Sequence, residues 1–188
     1  MSRPSGQRDL LTVRLEEIPD KGLDLTFDPK DARFAEILEE SADGDGPRTG
    51  NASLRLELWP ERLDCIGTLQ VGLPQQCARC LEPFELTLDR SFTQYLMRTS
   101  AEQPDDAEDG EIELTLRDLD RSSLVGDEVD LATVLREELL LAMPSKLVCR
   151  EDCKGICSGC GAELNHEECT CEPEIDPRWE ALKGLKIE

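Results

Sequence analysis

Eight of the nine cysteines in this 188-residue chain fall into four close pairs: Cys77 with Cys80, Cys149 with Cys153, Cys157 with Cys160, and Cys169 with Cys171. A tetrahedral structural zinc shell takes four thiolates, so four pairs supply two such shells. The Cys157-Ser-Gly-Cys160-Gly161 segment carries the stronger signal. Its short turn aims backbone amides at both sulfurs, and the glycine that follows relieves crowding there. Cys77-Ala-Arg-Cys80 has the same spacing without the glycine.

Other uses of clustered cysteines fit less well. A disulfide scaffold goes with secretion, and Met1 to Leu15 has no uninterrupted apolar stretch, only leucines scattered among Arg3, Arg8, Asp9 and Arg14. A thioredoxin-like redox pair opens a helix after a strand in a βαβ unit, and neither C-x-x-C has that setting. An iron–sulfur cluster also takes four thiolates, but the ferredoxin-type run of cysteines is missing. Cys65 stands apart on the apolar side of an alternating strand and reads as a small buried hydrophobe.

Hydrophobic periodicity outlines the rest. Leu11, Val13 and Leu15, then Leu23, Leu25 and Phe27, alternate as two strands around a turn at Pro19 to Gly22. Asp28-Pro29 predicts a helix start, with Phe34, Ile37 and Leu38 on one face as far as about Glu40. Ser41 to Asn51 reads as a loop. Leu54, Leu56 and Leu58, then Leu63, Cys65, Leu69, Val71 and Leu73, then Phe84, Leu86 and Leu88 mark further strands. The Cys77/Cys80 knuckle is thereby expected at the tip of a hairpin. Thr99 to Gly110 holds five acids and no lysine or arginine and reads as an acidic loop. Ile112, Leu114 and Leu116 suggest another strand, and Asp130 caps a helix with Leu131, Val134, Leu135, Leu139 and Ala142 on one face, stopped by Pro144. Asp176-Pro177 opens a short last helix carrying Trp179, Leu182 and Leu185.

The expected fold class is α+β: a mainly antiparallel sheet, open or curled toward a barrel, with covering helices and a C-terminal cysteine-rich zinc module. The expected division is a core domain over residues 1–148, carrying the Cys77/Cys80 knuckle and the acidic loop 99–110, and a zinc module with the last helix over 149–188.

Chain order constrains how the pairs combine. Cys157/Cys160 and Cys169/Cys171 are close enough in sequence to form one site on their own. Cys77/Cys80 is then left to meet Cys149/Cys153, closing a loop of about seventy residues. The rival grouping takes Cys149, Cys153, Cys157 and Cys160 as one linear site. His166, the single histidine, could replace a thiolate, but as a lone loop residue it reads as solvent-facing. All eight paired cysteines are candidate metal ligands, Zn2+ is the expected ion, and two structural sites are expected.

The order Cys77-Ala-Arg-Cys80-Leu-Glu-Pro-Phe84, a leucine-rich helix ending at Pro144, Cys153-Lys-Gly-Ile-Cys157-Ser-Gly-Cys160-Gly-Ala-Glu-Leu-Asn165, Cys169-Thr-Cys171 and Asp176-Pro-Arg-Trp179 resembles the bacterial YceD family. The resemblance covers the chain from about Leu54 onward. It implies a ribosome-biogenesis factor that supports synthesis, processing or stability of 23S rRNA, and it supplies no catalytic mechanism.

Charge qualifies how such a role is carried out. The formal net charge is −21, and two filled four-thiolate centres would add about four more negative charges. RNA binding draws on clustered lysines and arginines and on exposed aromatic platforms, and the sequence displays neither as a cluster. Lys146, Arg150 and Lys154 flank the cysteines, so direct rRNA contact is expected to be local at most. The expected partner is a large-subunit ribosomal protein or an assembly intermediate, shielded by the acidic surface. The alternative is an acidic zinc-module chaperone for a basic or zinc-binding client. An enzyme is not expected: there is no H-E-x-x-H, no P-loop and no second histidine, and four-thiolate shells are closed. The longest apolar run is Leu139 to Met143, far short of a membrane span, and the expected location is cytoplasmic.

Overall fold

A computed structural model of the protein describes residues 11–99, 121–171 and 178. Those residues fall into two compact units. The first takes residues up to Gln75 together with Glu85–Ser145, and the second takes Gln76–Phe84 together with the chain from Lys146. All of the acidic stretch 99–110 but Thr99, the strand expected at Ile112 to Leu116, and the last helix but for Arg178 lie outside the described residues.

The first unit is α+β. Strands β1 (Thr12–Arg14), β2 (Leu23–Phe27), β3 (Thr49–Leu58), β4 (Arg62–Gln76), β5 (Pro83–Thr99), β6 (Arg121–Val125) and β7 (Glu128–Asp130) are joined by helices α1 (Ala32–Glu40) and α2 (Leu131–Ala142). Five strands form one sheet in the order β2-β3-β4-β5-β6, and β1 and β7 pair separately. β2/β3, β3/β4 and β1/β7 are antiparallel, and β5/β6 is parallel. The six-residue connection from β4 to β5 makes that pair a hairpin, since a parallel return needs a longer crossover.

Among the described residues the sheet does not close into a barrel. Closure would require β6 to hydrogen-bond to β2. Both are five-residue edge strands beside neighbours of ten and seventeen residues, and β1 and β7 pair with each other instead of bridging them.

Alternation places the core. β3 buries Ala52, Leu54 and Leu56; β4 buries Leu63, Cys65, Leu69, Val71 and Leu73; β5 buries Leu88, Phe92 and Leu96. Gly67 occupies the inward position between Cys65 and Leu69, where an added Cβ would lie 2.5 Å from Phe92 and 2.7 Å from Leu54. A glycine there lets the Phe92 ring lie directly on the strand. Arg90 and Gln94 share the face of Leu88 and Phe92 and are matched by α2: Arg90 Nε lies 2.8 Å from Glu138 Oε2, and Gln94 Nε2 lies 3.1 Å from Glu137 Oε2. Helix α2 thus covers the sheet through β5, and Arg136 ties it to α1 through Glu40 at 3.0 Å.

Several bounds differ from expectation: β5 runs past Leu88 to Thr99, β6 and β7 occupy segments not read as strands, and two boundaries near α1 shift. Helix α1 starts after Asp31, not Asp28. Asp28 instead closes a turn, its Oδ1 accepting from Lys30 N at 2.7 Å while Asp31 Oδ2 accepts from Asp28 N at 2.9 Å. Such short acceptors compete with the helix for the backbone. The loop after α1 ends at Arg48, because Thr49 to Asn51 already pair with Gly72 to Gln70. Gly50 permits this: its φ is +125°, and an added Cβ would strike Gln70 O at 2.1 Å. Helix α2 begins where expected, with Asp130 Oδ1 accepting from Ala132 N at 3.0 Å.

Candidate metal centres

Both centres lie in the second unit, and both begin with the same turn. In the first knuckle Cys77 N donates to Glu82 O at 2.9 Å, Leu81 N donates to Cys77 O at 2.9 Å, and Arg79 N points at Cys77 Sγ at 3.4 Å. In the second, Cys157 N donates to Ala162 O at 2.8 Å, Gly161 N to Cys157 O at 2.9 Å, and Gly159 N points at Cys157 Sγ at 3.4 Å. The residue after the second cysteine must turn left-handed in each case. Gly161 does so at φ +76°, while Leu81 takes φ +62°, a conformation that costs an L-residue about 1 to 2 kcal/mol. Leucine therefore pays for a turn that glycine makes freely.

The knuckles gather their partners. Cys77, Cys80, Cys149 and Cys153 form one cluster, Cys157, Cys160, Cys169 and Cys171 the other, and within each all four sulfurs lie within 4.8 Å of one another. The linear grouping of Cys149 to Cys160 is not the one adopted. Cys77 Sγ lies 3.8 Å from Cys153 Sγ and Cys80 Sγ 3.7 Å from Cys149 Sγ. In the second cluster Cys160 to Cys169 is 3.6 Å and Cys157 to Cys169 is 3.2 Å. A disulfide would bring sulfurs to about 2.05 Å, whereas a tetrahedral shell with metal–sulfur bonds of about 2.3 Å puts them about 3.8 Å apart. All nine cysteines are free thiols. Each cluster could hold one metal ion, and four sulfurs in a tetrahedron suit zinc or iron.

Local hydrogen bonds set the charge on the sulfurs. Burial pushes the Cys77 thiol up, but amides of Cys80, Cys149 and Arg79 outweigh it and bring it down to about 6. Amides of Cys160 and Gly159, with the Cys169 thiol, bring Cys157 down to about 6 as well. Burial and neighbouring sulfurs push Cys149 up to about 12, and neighbouring Cys160 and Cys169 push Cys171 up to about 12. Each cluster thus holds one sulfur, Cys77 or Cys157, biased toward the thiolate and one, Cys149 or Cys171, biased toward the thiol. Binding of an ion by these four sulfurs would release the protons still held.

The two centres differ in surroundings. Three of the first four cysteines are buried, packed with Phe84 and Val148, while Cys160 and Cys171 in the second are exposed. Two residues beyond the cysteines fix the first centre. Arg79 Nη1 donates to Cys153 O at 2.8 Å and Glu151 O at 3.2 Å, clamping the Cys149–Cys153 segment onto the knuckle. Asn165 Nδ2 reaches Cys153 Sγ at 3.5 Å, while its Oδ1 accepts from Lys154 N at 2.9 Å. The Asn165 contact lowers the Cys153 thiol and is the foremost influence on it. A short amide closing the Cys157-to-Asn165 motif was the available signal for this role. His166 belongs to neither cluster. Its Nε2 lies 3.2 Å from Glu82 and 3.4 Å from Glu163, on the exposed side. Cys65 is fully buried in the first unit, and burial pushes its thiol up to about 12, which leaves it inert.

No solved structure matches the chain. An uncharacterised protein of Mycobacterium tuberculosis is 33% identical over 129 residues, which cover 69% of this chain and 58% of that protein. The chloroplastic large ribosomal RNA subunit accumulation protein YCED homolog 1 of Zea mays is 27% identical over 143 residues, covering 66% of this chain and 49% of its own. Its Arabidopsis thaliana counterpart is 28% identical over 143 residues, with 66% and 44% covered. The chain thus spans about half the length of these relatives. A family model described as large ribosomal RNA subunit accumulation protein YceD matches residues 66–186, and the chain belongs to the YceD family.

Proposed function

We propose that this protein supports accumulation of large-subunit rRNA without catalysing a reaction, by shielding a basic large-subunit ribosomal protein or assembly intermediate until rRNA takes its place. The observation that carries this reading is the formal net charge of −21 in a member of the YceD family. A surface so acidic repels naked phosphate backbone and attracts basic protein. Zinc is the ion proposed for both clusters, held by Cys77, Cys80, Cys149 and Cys153 and by Cys157, Cys160, Cys169 and Cys171. A shell of four thiolates has no open position, so the role assigned to it is structural.

Depletion of the protein in its own host tests this, with the ratio of 23S to 16S rRNA as the readout and add-back of wild type or a Cys77→Ser/Cys80→Ser variant. A selective fall in 23S rRNA restored only by wild type is expected. An unchanged ratio on depletion refutes the reading. The exposure of Cys160 and Cys171 favours a second reading, a chaperone that passes zinc to a client. Under it the second centre, loaded with zinc, would lose its ion to an apo-client faster than to buffer alone.

A further inference from the structure

The turn between β3 and β4 carries apolar and aromatic surface that the core does not use. Leu58 and Trp59 are 36% and 49% exposed, and Val125, at the end of β6, is 62% exposed. They belong to one end of the sheet. Trp59 N donates to Arg62 O at 2.8 Å, closing the turn, and Arg98 N donates to Glu61 O at 2.9 Å, setting the turn against the end of β5. β5 then pairs Arg98 with Leu124 and Thr99 with Val125. A cavity of about 550 Å³ opens there between Leu15, Leu58, Arg98 and Asp127.

The sequence displays no aromatic cluster, yet the fold makes one. The Arg62 guanidinium lies 5.7 Å from the Trp59 ring centroid and 5.2 Å from that of Tyr95. An ion pair with Asp64 at 2.8 Å holds it there. Arg62 thereby steadies one face of an indole that remains half open to a partner, and an anchor already fixed in position loses little entropy on binding.

Charge decides which partner suits it. Glu16, Asp127 and Glu128 are 77%, 86% and 55% exposed, and Glu61 is exposed in the turn itself. The arginines among them are already matched: Arg14 pairs with Glu128 at 3.0 Å and Glu16 at 3.7 Å, and Arg98 with Asp127 at 3.3 Å. With Arg62 and its partner Asp64 included, five acids against three arginines leave an acidic rim around an apolar and aromatic centre. A nucleobase could stack on Trp59, but its phosphates would meet that rim. A lysine- or arginine-rich segment meets it favourably and can lay an apolar stem or a cationic head on the indole.

We infer that this end of the sheet is the docking surface for a basic segment of a partner protein, anchored on Trp59. The inference rests on the reading above that the partner is a basic protein, and it assigns that contact to named residues.

The test uses the zinc-loaded full chain and two labelled probes, a short peptide alternating arginine with leucine and a single-stranded oligouridylate of matched length. Anisotropy reports affinity, and a Trp179→Phe background leaves Trp59 as the sole indole, so its emission reports contact. Wild type is expected to prefer the peptide, with a blue shift of Trp59 emission. Trp59→Ala should weaken binding about tenfold, as truncation of a tryptophan anchor does. Trp59→Phe should retain most of the affinity, and Glu61→Lys should weaken binding without touching the core. Leu140→Ser/Leu141→Ser, which removes the exposed leucine pair on α2, should bind as wild type does. Equal peptide affinity for wild type, Trp59→Ala and Glu61→Lys overturns this surface while the basic-partner reading stands. Preference for the oligouridylate, or no peptide binding by any form, overturns both.

Discussion

The two cysteine clusters close loops of very different length, and that difference sets how much each should hold the fold together. Cys80 meets Cys149 across 69 positions of sequence, whereas Cys160 meets Cys169 across 9. A cross-link removes unfolded-chain entropy that grows with the logarithm of the loop, about 4.4 kcal/mol for the longer loop and about 2.7 kcal/mol for the shorter at 25 °C. The perturbation is Cys80→Ser/Cys149→Ser compared with Cys160→Ser/Cys169→Ser, each leaving two thiolates and no complete shell. Lost metal–sulfur bonding is alike in the two, so the loops alone make the first variant worse by about 1.7 kcal/mol. Hydroxyls left in the buried centre without partners widen the gap by about 1 to 3 kcal/mol. At about 2 to 4 °C per kcal/mol for a chain of this size, the first variant should melt about 5 °C or more below the second. Calorimetry on zinc-loaded protein, with metal content measured on the same samples, reads this directly. Equal melting temperatures, or a lower one for Cys160→Ser/Cys169→Ser, would refute the treatment of the long-loop centre as the main cross-link.

Three further outcomes follow from particular contacts. Asn165→Ala should weaken metal binding at the Cys77 centre about tenfold, by removing a group that orients a ligand sulfur, and leave the Cys157 centre unchanged; competition against a chromophoric chelator measures both. Gly161→Ala should destabilise the second knuckle by about 1 kcal/mol in urea melts, from its backbone angle alone, because an added Cβ there meets nothing within 4 Å. Gly67→Ala should cost about 1 to 3 kcal/mol by displacing Phe92, and Gly67→Ala/Phe92→Leu should recover part of that loss, so that the two changes are not additive.

What the chain disclosed about itself divides by range. The Cys77/Cys80 and Cys157/Cys160 knuckles were legible because a C-x-x-C turn is local, its amides and sulfurs lying within six residues, and the short gap between Cys160 and Cys169 favoured the grouping adopted over the linear rival. Strands β1 to β5 were legible through alternating apolar positions, with Gly67 holding an inward position without a side chain, whereas the short β6 and β7 carry no such run. The parallel pairing of β5 with β6 was not legible, since nothing in Arg121 to Val125 states which edge it joins. The start of α1 was misread for a local reason. Two aspartates bracket Pro29, and each can take a backbone N–H, so the choice between them rests on the turn they make with each other.

Leu81 and Trp59 show why the remaining features escape a reading by residue type. A glycine after C-x-x-C marks the residue that makes the left-handed turn at least cost; it does not create the requirement. The requirement comes from the bonds Cys77 N to Glu82 O and Leu81 N to Cys77 O, which Leu81 satisfies at φ +62°. Glycine identified the second knuckle quickly and said nothing against the first. Trp59 poses the converse case. Its neighbours Leu58 and Pro60 suggest an ordinary strand end, and Tyr95 is far along the chain. Only the adjacency of β4 and β5 brings Tyr95 to Arg62 and so to Trp59. A chain whose acids are spread along its length can therefore keep an aromatic anchor out of sight in its sequence, and strand order, more than composition, decides where a basic partner finds both charge and a ring to rest on.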